Sequence, residues 1–260
     1  LTEAGFGADM GLERFFDLKC SVSGMRPEAA VLVVTVRALK AHSGKYRIVS
    51  GKELPPAMLE ENLEDVRAGA SNMLKHLSIV RGFGMEPVVA INVFPTDHDC
   101  EVEEIRRIAT EAGAHVAAVH PVTEGGAGCA DLADQVAAAC ALARQTGPSQ
   151  PQETSSPQEA SSQAADAERG RPLYVAGDDL RTKIGKVAAM YGADGVDYTP
   201  AASRFLDACE AEGFGHLAVV VAKTPLSLSH DPSLKGVPTG WRLPVREVRL
   251  AAGAGYVYAI

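Results

Sequence analysis

AVLVVTV at residues 30–36 and PVVAINV at residues 87–93 are short apolar runs, rich in β-branched side chains, and neither alternates with polar positions. A strand with one wet face alternates, whereas a strand covered on both faces does not. Both runs therefore read as strands buried on the two sides of a sheet. Between them Leu59, Leu63, Val66, Met73, Leu74 and Leu77 recur at three- and four-residue steps, which predicts one helix over 56–80. A second helix is expected over 101–112, a third strand over 114–119 and a third helix over 130–143. Strands alternating with helices at this spacing need right-handed crossovers. The expected fold class is α/β, a parallel sheet with helices on both faces.

Outward from this block the composition changes abruptly. QPQETSSPQEASSQ, residues 150–163, offers too little apolar surface to offset the entropy of ordering it. Three regions follow: an α/β sheet region over 1–145, a disordered Gln/Ser/Pro insertion over 146–171, and a C-terminal α/β region over 172–260. In the last of these, helices are expected at 181–191 and 201–213 and a strand at 216–221. Extended segments are expected at 241–250 and 255–260.

The 260 residues are 46% hydrophobic and carry a net charge of −8, which fits one or two ordinary globular domains. That balance argues against a uniformly basic nucleic-acid binder, and no apolar run approaches the ~20 residues of a membrane helix. Neither nucleic acid nor membrane is expected as a partner. The five cysteines are never spaced CxxC, and with seven histidines they build no zinc framework, so no metal site is expected.

Ligands of open parallel sheets gather at the carboxyl ends of the strands. Three loops stand there: FPTD at 94–97, HPVTEGG at 120–126, and AKTPLSLSHD at 222–231. Lys223 with Thr224, Ser227 and Ser229 would suit an anionic group, Lys223 and Thr224 a phosphate, since an ammonium and several hydroxyls supply charge and donors. A capped turn with a solvated lysine explains the same residues. Gly125, Gly126 and Gly128 could bind an anion ahead of a helix or simply turn the chain. No GxxxxGK[ST], no GxGxxG after a strand and no GxSxG elbow occurs. No catalytic residue can be named from the residues alone.

The loops themselves carry a resemblance. TEAGFGAD (2–9), FFDLKC (15–20), AAVLVVTVRALK (29–40), VAINVFPTD (89–97), YGADGV (191–196), AKT (222–224) and PTGWRLPVREVR (238–249) resemble, in order, the formate–tetrahydrofolate ligases. The resemblance implies P-loop NTPase-like or Rossmann-like layers, here as a partial fold. It implies an ATP-dependent C–N ligase of one-carbon metabolism that makes 10-formyltetrahydrofolate through formyl phosphate. Formate, MgATP and tetrahydrofolate are then the small-molecule partners and substrates, with no prosthetic group or bound metal. The family's P-loop precedes the TEAGFG block, so the chain reads as a central and C-terminal part, inactive alone. The alternative is a non-catalytic truncated paralogue that binds folate or assembles subunits.

In family members tetrahydrofolate is held by a Phe-Pro pair after a buried strand, which matches Phe94 and Pro95. The opposite wall is a Leu and a Trp before a Gly-Gly turn, and those positions fall on Ala118 and Val122. The resemblance also suggests a homo-oligomer in the cytoplasm or in an organelle such as a mitochondrion or plastid.

Overall fold

The computed structural model describes residues 1–49, 51–145 and 170–260, so the 146–171 insertion lies almost wholly outside the described residues. The chain forms two compact units, one of residues 26–171 and one that joins 1–25 to 172–260.

In residues 26–171 the strands β1 (Ala30–Val34), β2 (Pro87–Asn92) and β3 (His115–Val119) pair in that order, all parallel. Helix α1 (Val36–His42) follows β1, α2 (Leu63–Gly82) leads to β2, α3 (Asp99–Glu111) links β2 to β3, and α4 (Ala130–Gln145) follows β3. Val89 and Ile91 of β2 and Val116 of β3 enter a core with Leu39, Val66, Met73, Leu77 and Ile105. Side chains alternate along a strand, so Val88, Ala90 and Ala117 point to the opposite face, where α4 packs over β2 and β3. The parallel sheet therefore has helices on both faces, as expected.

Two expectations need correction. The run 30–36 is not one doubly buried strand: Val31 and Val33 remain 43% and 63% exposed on the α4 side of the edge strand β1. Nor does it stay extended, because the Thr35 hydroxyl accepts the Ala38 N–H and starts α1. The helix expected over 56–80 is also divided. A single turn at Pro56–Leu59 ends at Glu60, and Asn62 then caps α2 by accepting the Asp65 N–H at 3.0 Å.

In the other unit, α5 (Leu180–Tyr191) and α6 (Pro200–Ala211) pack around two small sheets. One pairs β4 (Val196–Tyr198) with β6 (Leu243–Val245), in parallel. The other is ordered β5-β8-β7, with β5 (Ala218–Val221) parallel and β7 (Val248–Ala251) antiparallel to β8 (Tyr256–Ala259). Residues 1–25, grouped with 26–145 from sequence, belong here. Two π-helical stretches, Ala8–Leu12 and Phe15–Cys20, bury Phe16 completely. The Arg14 guanidinium donates to Val221 O at 2.8 Å, and Asp17 accepts the Leu173 N–H at 2.7 Å.

Candidate functional site

Parallel pairing sets the carboxyl ends of β1, β2 and β3 side by side, and each end delivers a polar group to that edge. After β2 the chain closes a turn over Phe94–Asp97. The Asp97 N–H donates to Phe94 O at 2.9 Å, and the Asp97 carboxylate accepts the Phe94 N–H at 3.0 Å. The Phe94 ring is half-buried and Pro95 is exposed. From the first turn of α1, the Arg37 guanidinium lies 4.2 Å from the centre of that ring. Its Nη2 donates to Thr96 Oγ1 at 2.6 Å, and its Nε stands 3.9 Å from Asp97 Oδ1.

After β3 the chain turns through Pro121–Glu124, and Val122 stands 81% exposed at this edge. Gly125 takes a left-handed φ of 59° there. A Cβ on Gly128 would come within 2.8 Å of His120 O, so only glycine lets this loop fold back on itself. Ala118, the partner of Ile91 in the ladder, is half-buried one residue before the end of β3. Thus Ala118 lies within β3, and Phe94, Pro95 and Val122 lie in the turns that follow the adjacent strands β2 and β3, at the carboxyl edge of one sheet.

The phosphate candidates lie in the other unit. Lys223 follows β5, and its side chain is 1% exposed. Its ammonium donates to Asp9 Oδ2 at 2.6 Å, Ser227 O at 2.6 Å and Thr224 O at 3.2 Å. An ammonium has three protons, and all three are taken inside the fold. Burial holds the Lys223 pKa below its usual value against the pull of Asp9. Thr224 Oγ1 accepts the Leu226 N–H at 3.2 Å. Both residues border a cavity of about 200 Å³, together with His230 and Arg246. Among the described residues no cluster of His, Cys, Asp or Glu could hold a metal ion, and no helix is long and apolar enough to cross a membrane.

Residues 1–260 match the sequence family described as formate–tetrahydrofolate ligase. The chain belongs to that family. It is similar to proteins named formate–tetrahydrofolate ligase from Cutibacterium acnes, at 56% identity, and Saccharopolyspora erythraea, at 55%. It is 48% identical to formate–tetrahydrofolate ligase 3 of Rubrobacter xylanophilus. Each match covers the whole chain but only 42%, 42% and 43% of those relatives, so the chain spans under half of a ligase's length.

Two features of this stretch lie outside the expectations drawn from the sequence. Arg37 lies one residue past the strand expected over 30–36 and is given no element there; a Thr followed by V-R-A-L-K at a strand's end is the capped-helix signal that places it. Asp9, Glu13 and Asp17 recur every four residues and are all buried. Acidic residues at helical spacing among Phe15 and Phe16 were the available sign that the segment packs inward.

Proposed function

We propose that this chain supplies one wall of the tetrahydrofolate site in a formate–tetrahydrofolate ligase. The complete enzyme makes 10-formyltetrahydrofolate from formate, tetrahydrofolate and MgATP through formyl phosphate. The observation that supports this reading is Phe94–Pro95 at the carboxyl edge of β2, beside the 120–128 turn that ends β3. A flat pteridine gains burial and stacking against such a ring, of order 0.5–1.5 kcal/mol for an aromatic pair beyond the area buried. Lys223 and Thr224 are the proposed phosphate contact of the other unit. A phosphate there has to take over a donor that Lys223 now gives to a backbone carbonyl.

Val122, where family members hold tetrahydrofolate with a Trp, favours a second reading: a folate-binding or assembly module without catalysis. Titration of the full-length protein with tetrahydrofolate tests the wall. Phe94→Ala should weaken binding by about 2 kcal/mol, the order expected for losing a ring and its buried area. Val122→Trp should tighten it about fivefold, by restoring a second aromatic face. Parent-like affinity in Phe94→Ala would mean that the ligand does not stack there. Formate-dependent ADP release by the full-length protein separates the ligase from the module.

A further inference from the structure

We propose that Arg37 is a positioning residue for the folate wall: it covers one face of Phe94 and holds the 94–97 turn, so a flat ligand stacks on the other face alone. The inference rests on the reading of Phe94 as a tetrahydrofolate contact. One side chain engages three of the turn's four residues. The guanidinium lies over the Phe94 ring, 4.2 Å from its centre and within cation–π range. Its Nη2 binds the Thr96 hydroxyl at 2.6 Å, and its charge faces Asp97, whose carboxylate is 3% exposed and also accepts the Phe94 N–H.

Topology explains why an arginine from so distant a part of the sequence can do this. Arg37 is the second residue of α1, which starts at the carboxyl end of β1, and β1 lies beside β2 in parallel register. The rim of that strand pair therefore carries both partners. A planar, delocalised cation stacks on a ring while its N–H groups stay in plane for hydrogen bonds; an ammonium cannot do both. A cation on one face also draws ring electron density toward itself. The opposite face then suits an electron-rich reduced pterin better than an isolated phenyl ring does. With aliphatic Val122 at the neighbouring edge, Arg37 is the layer that stiffens the only aromatic wall among these site residues.

The test uses the full-length ligase as Arg37→Gln, Arg37→Lys, Phe94→Ala and the double variant R37Q/F94A, with KM for each substrate, kcat and thermal midpoints. Arg37→Gln should raise the KM for tetrahydrofolate about fivefold, and leave kcat and the KM values for formate and ATP within about twofold. Arg37→Lys should fall between, because it keeps the charge and loses the plane. On the Phe94→Ala background, Arg37→Gln should add less than about twofold, since the ring it positions is gone. An unchanged tetrahydrofolate KM in Arg37→Gln, with a raised one in Phe94→Ala, overturns the role of Arg37 and spares the folate wall. Equal effects of Arg37→Gln on both backgrounds also overturn it. An unchanged KM in Phe94→Ala removes the folate wall itself, and this inference with it. Should Arg37→Gln not fold, Arg37→Lys carries the same comparison: its raised KM must vanish on the Phe94→Ala background.

Discussion

Asp17 is a carboxylate where a small domain can least accommodate one. It is 2% exposed, and burial lifts its pKa from 3.8 to about 7, although the Leu173 N–H it accepts pulls the other way. Glu13, one helical turn earlier, is fully buried and pushed well up as well, first by burial and then by Asp17. Contact between two carboxyl groups is favourable only while one keeps its proton. Between about pH 4 and pH 7 the folded chain holds a proton on Asp17 that the unfolded chain has released. Stability from this group is complete below 3.8 and falls as pH rises toward 7, by up to about 1.4 kcal/mol per pH unit. Asp17→Asn should flatten that slope in urea midpoints measured at pH 5, 6 and 7. Parallel curves for parent and variant would mean that Asp17 is charged throughout.

At the level of elements, the crossing of α1 and α2 decides where Arg37 stands. Gly69 of α2 lies against the α1 backbone so closely that an added Cβ would sit 1.8 Å from Leu39 O and 2.6 Å from Leu39 C. Backbone cannot rotate out of the way as a side chain can. Gly69→Ala should therefore cost about 1–3 kcal/mol or more, as overpacking does, and displace α1 with its arginine. Gly82→Ala, at the end of the same helix with nothing within 4 Å, should be neutral or slightly stabilising. Similar melting losses in both variants would show that propensity, not the crossing, governs this helix. The same elements show what could be read in advance. β2 was legible because five of its six residues are buried, so apolar continuity and double burial coincide. β1 has equal continuity, yet α4 covers its neighbours, and Val31 and Val33 stay exposed. Local pattern cannot report which strand a helix will cover. α1 was hidden because Thr35 and Val36 suit a strand by propensity, and the Thr35 cap outweighed that preference. At the candidate site, Phe94–Pro95 was legible from the strand-end rule and the family likeness. Its partner Arg37 was not, since the contact joins the ends of two strands that only the folded sheet brings together.

At the scale of the whole chain, the two units differ in how they are encoded. Residues 26–171 include all three strands of their sheet and a core of their own, so this stretch should fold without the rest. The other unit needs both ends of the sequence. Phe16, fully buried, belongs to the first 25 residues, and Asp9 is the carboxylate that balances Lys223. Residues 172–260 alone would leave Lys223 with two backbone carbonyls as acceptors and its counter-charge removed. Breaking a buried pair from one side typically costs about 3–5 kcal/mol, a large share of a small domain's stability. The lost Arg14 bond to Val221 O and the exposed Leu173 N–H add to the deficit. Expressed separately, 26–171 should give a cooperative thermal transition, and 172–260 should give none. Joining 1–25 to 172–260 through a flexible linker should restore a cooperative transition, and Asp9→Ala in that fusion should abolish most of the gain. A sharp melt from 172–260 alone would show instead that its own core, around Ile184, Leu206 and Trp241, suffices, and that the first segment is an addition to a finished fold.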